Sequence, residues 1–344
     1  MLLSKDVYAP FDTPEEYICG WTDLIWDDFG FGRLPEHYAK DVVVHGAYGI
    51  IRGAEDVIAN SMVKKSTFPT RVGTAEDVIC EPRSDRSFIS HHRVFHSGPQ
   101  AGLGLHGPAT LNNSESRNMA ICLVRDGLVV EEWVVRDEYR VCTTLGLDPE
   151  AVARQLAFST DPEGLFGTTA PADVVTAGES GTRPDTHSDE AEFIREFIEE
   201  VWNNRRLERV PEFTLRDLFL ETTRARVRTR PLNYQVDLIQ MLAPFPHAEI
   251  EVRDIAVSTA PEQGTRVGVL WRLTGAYSGV PLYGPVTNSP IEILGSSQFL
   301  LRGGRIIREW RVFDEVAVMA QVARARGDVP RLGDQTPTSS PKHQ

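Results

Sequence analysis

A carboxylate that shares a strand face with a tryptophan is where acid–base chemistry is first expected in this chain. Residues 128–138 read LVVEEWVVRDE, and side chains of a strand alternate. Trp133, Val135 and Asp137 are therefore expected on one face, and Glu132, Val134, Arg136 and Glu138 on a more charged face suited to solvent or a partner. An Asp held in an apolar pocket loses hydration, so its pKa rises from about 3.9 and it becomes a usable proton shuttle near neutrality. Asp314 repeats the arrangement beside Trp310. The competing reading of both acids is structural: an Asp at a strand end that caps a helix or pairs with an Arg.

Histidines gather in the first half, at His45, His91, His92, His96 and His106. His92 or His106 is expected to assist Asp137 by holding a developing enolate oxygen. A metal site is not expected. His92 and His96 share a strand face, but four residues of strand span about 13 Å, too far for one ion. In the second half Arg224, Arg226, Arg228 and Arg230 alternate with Ala225, Val227 and Thr229, so one strand would carry four guanidinium groups on a single face. Such a ladder suits an anion or, more simply, a solvated face neutralised by nearby acids.

These residues are organised by an internal repeat. GLVVEEWVVRDE at 127–138 recurs as GRIIREWRVFDE at 304–315, and taking Trp133 and Trp310 as anchors the offset is 310 − 133 = 177. HGPAT at 106–110 faces YGPVT at 283–287, which pairs His106 with Tyr283. Aligning Arg93 with Arg272 sets His92 opposite Trp271. Each copy opens with a helix, 13–29 or 188–204, capped by Thr13 or Ser188. Each closes with three strands, roughly 86–97, 114–125 and 128–141, then 265–277, 290–302 and 304–314. This is an α+β order with helices on one face of a curved antiparallel sheet. The boundaries expected are 12–148 for the first domain, 149–187 for a Gly-, Pro- and Thr-rich linker, 188–325 for the second domain and 326–344 for a tail.

Trp26, the run Asp41-Val-Val-Val-His45-Gly46, Arg52-Gly53, His106-Gly107-Pro108-Ala-Thr110 and Gly127…Glu132-Trp133…Asp137 together resemble the SnoaL-like polyketide cyclases of the nuclear-transport-factor-2-like superfamily. The second copy keeps Trp202, Tyr283-Gly-Pro-Val-Thr287 and Glu309-Trp310…Asp314 but lacks the His-Gly and Arg-Gly elements. The resemblance implies two tandem cone-shaped domains, each a curved antiparallel sheet wrapped over N-terminal helices around a pocket. It implies Asp137 as the residue that abstracts and returns a proton, without metal or cofactor. Trp26, His45, Tyr48, Trp133, Trp271, Tyr283 and Trp310 are expected to line the pockets, and the copies to pair within the chain as a pseudo-dimer, with room for a homo-oligomer.

Composition sets the outer bounds. The 344 residues carry a formal net charge of -13, which argues against nucleic acid or an anionic membrane as partner. No apolar run reaches the roughly 20 residues that span a bilayer, and four scattered cysteines without a CxxC pair suit reduced thiols in the cytoplasm. The expected function is a cofactor-independent cyclase, isomerase or lyase acting on a small, mostly apolar carbonyl compound. A non-catalytic ligand-binding protein and an epoxide-hydrolase-like hydration enzyme are the alternatives.

Overall fold

The structure is a computed structural model that describes residues 2–159, 188–260 and 264–328. The first domain runs α1 (Pro14–Thr22), β1 (Tyr38–Gly46), β2 (Gly49–Arg52), α2 (Ala54–Thr67), β3 (Val72–Pro82), β4 (Ser87–Pro99), β5 (Asn113–Arg125), β6 (Leu128–Arg136) and α3 (Glu138–Thr144). A further helix, α4 (Pro149–Ser159), leads away from it. The second domain repeats the order as α5 (Asp189–Phe197), α6 (Val210–Phe213), β7 (Thr214–Thr222), β8 (Arg226–Thr229), α7 (Arg230–Leu242), β9 (Glu249–Ala260), β10 (Gly264–Ala276), β11 (Pro290–Arg302), β12 (Arg305–Phe313) and α8 (Glu315–Arg326).

Local chemistry starts each copy in the same way. Thr13 Oγ1 accepts from Glu16 N–H at 3.1 Å, with Pro14 in the first turn, and Ser188 Oγ accepts from Ala191 N–H at 3.1 Å. The sheets follow, in the orders β2-β1-β6-β5-β4-β3 and β8-β7-β12-β11-β10-β9. They are antiparallel except where β1 runs parallel to β6 and β7 to β12. No helix among the described residues is long and apolar enough to cross a membrane.

The ladders fix how the copies correspond. Ile121 stands opposite both Trp133 and His91, while Gln298 stands opposite both Trp310 and Gly268. The 177-residue offset therefore holds across β4 to β6, and Trp271 occupies the place of Val94. The pairing of His92 with Trp271 is thereby corrected; the counterpart of His92 is Val269.

The two sheets pack face to face. Ile79, Ile89, Met119, Ile121, Trp133 and Val135 of the first domain form one apolar cluster with Ala256, Leu270, Leu294 and Val312 of the second. Polar contacts flank this cluster. Arg83 donates to Asp254 Oδ1 at 3.0 Å, His91 Nε2 meets the same oxygen at 2.9 Å, and Gln298 Nε2 donates to the His91 carbonyl at 3.0 Å. The Arg93 guanidinium stacks over the Trp310 ring at 3.9 Å.

Three expectations are revised here. The strand expected to continue to 141 ends at Arg136, because Asp137 turns the chain into α3. The segment expected to be linker from 149 begins as α4, whose Val152, Ala153, Leu156 and Ala157 join the core that holds Val316, Ala320 and Val322 of α8. The remainder of that linker, 160–187, and the tail beyond 328 lie outside the described residues. The four arginines do not share one strand. Arg226 and Arg228 lie in β8, whereas Arg224 precedes it and Arg230 opens α7, both at positive φ (64° and 71°). Acids meet three of the four. Arg224 Nε lies 2.7 Å from Glu315, Arg226 Nη2 lies 3.7 Å from Glu315, and Arg228 Nε lies 3.6 Å from Asp237.

Gly268 gives the sheet packing a direct test. A Cβ there would lie 2.6 Å from His91 Cβ of the facing sheet. Gly268→Val is expected to wedge the sheets apart and lower stability by about 1–3 kcal/mol, read from urea unfolding. An unchanged unfolding midpoint would contradict the packing.

Candidate functional site

Strand alternation decides what reaches the ligand space. With Trp133 and Val135 committed to the facing sheet, Glu132, Val134 and Arg136 turn toward the domain's own helices. There they meet His92, Val94 and His96 of β4, Asn118, Ala120 and Cys122 of β5, and Val57, Ser61 and Lys64 of α2. Together with Trp26, His37 and Tyr38 these enclose a cavity of about 160 Å³. A second hollow of about 550 Å³, lined by Tyr48, His106 and Glu138 among others, adjoins it along Lys64, Phe68, Arg71, Asn118 and Arg136. The charged face expected to meet solvent therefore lines a cavity, and the apolar face expected to line a pocket lies between the sheets.

The polar groups of this cavity are held by short contacts. Tyr38 donates its hydroxyl to Glu132 Oε2 at 2.8 Å, and Trp26 Nε1 donates to Ser61 Oγ at 3.2 Å. Burial raises the Glu132 pKa, outweighing the Tyr38 hydrogen bond and the charges of Arg136 and Lys64. Burial, helped by the neighbouring His91, takes His92 down to about 4, so its ring is neutral, with Ser90 Oγ 3.3 Å from Nδ1. His96 is also neutral through burial and the nearby cations, and it meets Asn118 Nδ2 at 3.1 Å. Lys64 is exposed by surface area but crowded by protein on the hollow's side, and that desolvation, then Arg136 and Arg71, draws its pKa down to about 7. At the second hollow His106 Nε2 pairs with Glu138 Oε2 at 2.9 Å. Burial alone would raise Glu138, but the hydrogen bond and charge of His106 outweigh it and hold the carboxyl below its ordinary range.

Trp26 and His92 thus line the inner cavity, and Tyr48 and His106 the adjoining hollow. His45 borders that hollow too, but its ring stacks on Trp133 at 5.3 Å and its Nε2 meets Glu131 at 2.9 Å. The other expected residues lie elsewhere. Asp137 bridges the two domains, accepting from Arg140 N–H at 3.2 Å and from Arg224 N–H at 2.6 Å. Burial, opposed by those two hydrogen bonds, pushes it up to about 6. The pKa rise expected for Asp137 is present, but its cause is the domain interface rather than a ligand pocket. Asp314 caps α8 through Ala317 N–H at 3.0 Å; burial and then Glu138 raise its pKa, and Tyr48 of the first domain adjoins it. Trp310 lies in the sheet interface, and the Tyr283 hydroxyl donates to Glu315 at 3.1 Å.

Trp271 explains why the second copy differs. Its indole, fully buried, donates Nε1–H to Ser297 Oγ at 3.2 Å and packs edge-on against Trp202 at 5.8 Å. It fits because Gly295 stands where the first copy has Asn118: a Cβ there would fall 2.1 Å from the indole. Arg311 takes the place of Val134, its guanidinium lying 3.1 Å from Glu309 and 3.2 Å from Asp237. Tyr234, Phe299 and Phe313 occupy the positions of Val57, Cys122 and Arg136, and all three are buried. The space that is hollow in the first domain is packed solid in the second. Among the described residues, Trp271 and Tyr283, expected to line a second pocket, are buried core side chains and line neither hollow.

The alternation rule and the Trp133 motif did not single out Tyr38, Lys64, Arg71, Asn118, Glu132 or Arg136. The repeat carried a usable signal, since Lys64, Arg71 and Arg136 align with Met241, Ala248 and Phe313, charged in one copy and apolar in the other. Among the described residues no three His, Cys, Asp or Glu side chains converge as a metal site requires.

Residues 192–322 match the family model of the SnoaL-like polyketide cyclases, so the second domain is a SnoaL-like domain, and the first repeats its strand order. Among solved structures, one assigned to the SnoaL-like polyketide cyclases from Jannaschia sp. CCS1 is 21% identical and covers 41% of this chain and 95% of its own, with a TM-score of 0.34. IdmH from Streptomyces antibioticus is 20% identical over 39% of this chain and 100% of its own, at 0.34. TsrD from Streptomyces laurentii is 21% identical over 38% of this chain and 91% of its own, at 0.34. No curated protein matches the chain.

Copying the second core into the first tests which copy holds the ligand space. The double variant Val94→Trp with Asn118→Gly is expected to fill the inner cavity, abolishing small-molecule binding in calorimetry without lowering the thermal midpoint. Undiminished binding would place the ligand elsewhere.

Proposed function

We propose that the first domain is a cofactor-independent acid–base catalyst of the cyclase or isomerase kind, acting on a small, mostly apolar carbonyl compound, and that the second domain is its covalently attached structural partner in a pseudo-dimer. One observation carries this reading: among the described residues, the cavity that combines an apolar wall with an ionisable acid and unpaired cations lies in the first copy. In the proposed step Glu132 removes a proton from the carbon next to the carbonyl. The oxygen that gains charge is met by Lys64 and Arg136, and Tyr38 orients the carboxylate through its hydroxyl. Returning the proton at a second carbon, or closing a carbon–carbon bond before its return, gives the isomerase or cyclase outcome. Neutral His92 supplies a hydrogen bond along the same wall.

This assignment gives the proton shuttle to Glu132 and leaves Asp137 a helix cap and domain bridge, and two variants separate them. Exchange of the methyl protons of 2-acetylnaphthalene in deuterated water, followed by nuclear magnetic resonance, reports proton abstraction without knowledge of the natural substrate. Glu132→Gln is expected to slow protein-dependent exchange by about 10²–10⁴-fold, while folded Asp137→Asn exchanges like the unaltered protein. The reverse result would return the role to Asp137. Binding of the ketone with no exchange would favour a ligand carrier instead.

The pH dependence follows from the same groups. The ionised base is gained as pH rises through the Glu132 pKa, which lies above its ordinary 4.5, and the Lys64 cation is lost as pH rises through about 7. Exchange is expected to rise and then fall across neutrality, and Lys64→Met to remove the falling limb.

A further inference from the structure

Three cations meet where the two hollows of the first domain join: Lys64 from α2, Arg136 at the end of β6, and Arg71 just before β3. Nζ of Lys64 and the guanidinium of Arg136 make no hydrogen bond or ion pair with any described residue, and the Arg71 guanidinium stacks on Phe68 at 5.1 Å. Three acids lie nearby: Glu138 is engaged by His106 at 2.9 Å, Glu132 by Tyr38 at 2.8 Å, and Asp27, which acts on Arg71, also faces Lys65 and accepts from the Gly73 backbone. Like charges brought together beside a low-dielectric wall repel one another, and an anion seated among them relieves that repulsion.

The duplicated copy shows that the fold itself does not require these cations. Met241, Ala248 and Phe313 stand at the three positions in the second domain. The correspondence is structural as well as numerical: a Cβ on Gly98 would meet Arg71 Cα at 2.4 Å, and one on the equivalent Gly275 would meet Ala248 Cα at 2.9 Å. Met241 packs against Arg311, the counterpart of Val134, as Lys64 lines the cavity beside Val134. Where the space is filled, apolar side chains serve; where it is hollow, all three are basic.

We propose that the natural ligand carries an anionic group, a carboxylate or a phosphate, seated among Lys64, Arg71 and Arg136, with its apolar body in the inner cavity against Val57, Val94 and Val134. This rests on the first domain being the ligand-binding copy and refines the substrate class from a neutral to an acidic carbonyl compound. Two arginines offer planar paired donors and the lysine a movable point charge, the donor set that recognises carboxylate and phosphate oxygens.

Calorimetry on the full chain with 2-naphthoate, 2-naphthyl phosphate and methyl 2-naphthoate provides the test. At least one acid is expected to bind about tenfold or more tightly than the ester, and the tighter of the two identifies the headgroup. Lys64→Met and Arg136→Met are each expected to weaken acid binding by about tenfold or more, well beyond any loss for the ester, without lowering the thermal midpoint, which separates lost recognition from lost fold. Equal binding of acid and ester, a preference that survives both substitutions, or no binding by any of the three would overturn the proposal. The outcome is independent of the acid–base reading. Proton exchange that depends on Glu132 without an acid preference removes only the anion site. An acid preference alongside full exchange by Glu132→Gln removes only the catalytic assignment.

Discussion

Two sheets that bury their outer faces against each other leave each strand one free face, and that parity governs the rest of the molecule. Trp133, Val135, Ile121 and Met119 are taken by the facing sheet, so the alternate residues of the same strands must turn toward the helices. Whether an acid at the end of β6 can reach a ligand is therefore settled by packing some distance from it. Asp137 falls on the interface side, where it holds the backbone of Arg224 from the other domain and starts α3. Its raised pKa reflects loss of water between domains, a reminder that a perturbed carboxylate marks burial before it marks function.

The repeat, the element order and the α+β class were legible because they rest on local signals: an N-cap at Thr13 and Ser188, alternation in the long strands, and glycines such as Gly127 where the turn needs positive φ. Which face of β6 looks inward was not legible. Alternation distinguishes two faces without naming either, and the usual guide, apolar inside and charged outside, fails when a sheet is covered on both sides. The apolar face met another sheet, and the charged face met a polar cavity. Likewise Arg93 and Arg272 looked equivalent as letters, but hydrogen-bond register sets Val94 opposite Trp271 and moves the comparison by two residues. Asp137 and Asp314 were read from a motif that the structure uses to cap helices.

The site residues that escaped notice share one property: each is ordinary in sequence. A lysine on a helix and an arginine on a strand are ordinary residues, and only the hollow walled by α2, β4, β5 and β6 brings Lys64 and Arg136 together. The lowered pKa of Lys64 follows from its surroundings, as does the raised carboxyl of Glu132 beside it. Low local dielectric amplifies both the repulsion among the cations and their attraction for an incoming negative charge. Gathering these cations beside an apolar wall costs stability, and the domain that carries them has its outer sheet face packed against a partner sheet.

That solid partner has a consequence for stoichiometry. In a symmetric dimer of identical cones, any substitution that fills one hollow fills both, and any charge that burdens one burdens both. Joining two copies in one chain cuts that link: Trp271 and Gly295 close one half while Val94 and Asn118 leave the other open. Under the proposed reading the polypeptide would take a single guest, since among the described residues Trp271, Tyr234, Phe299 and Phe313 fill the matching space of the second copy.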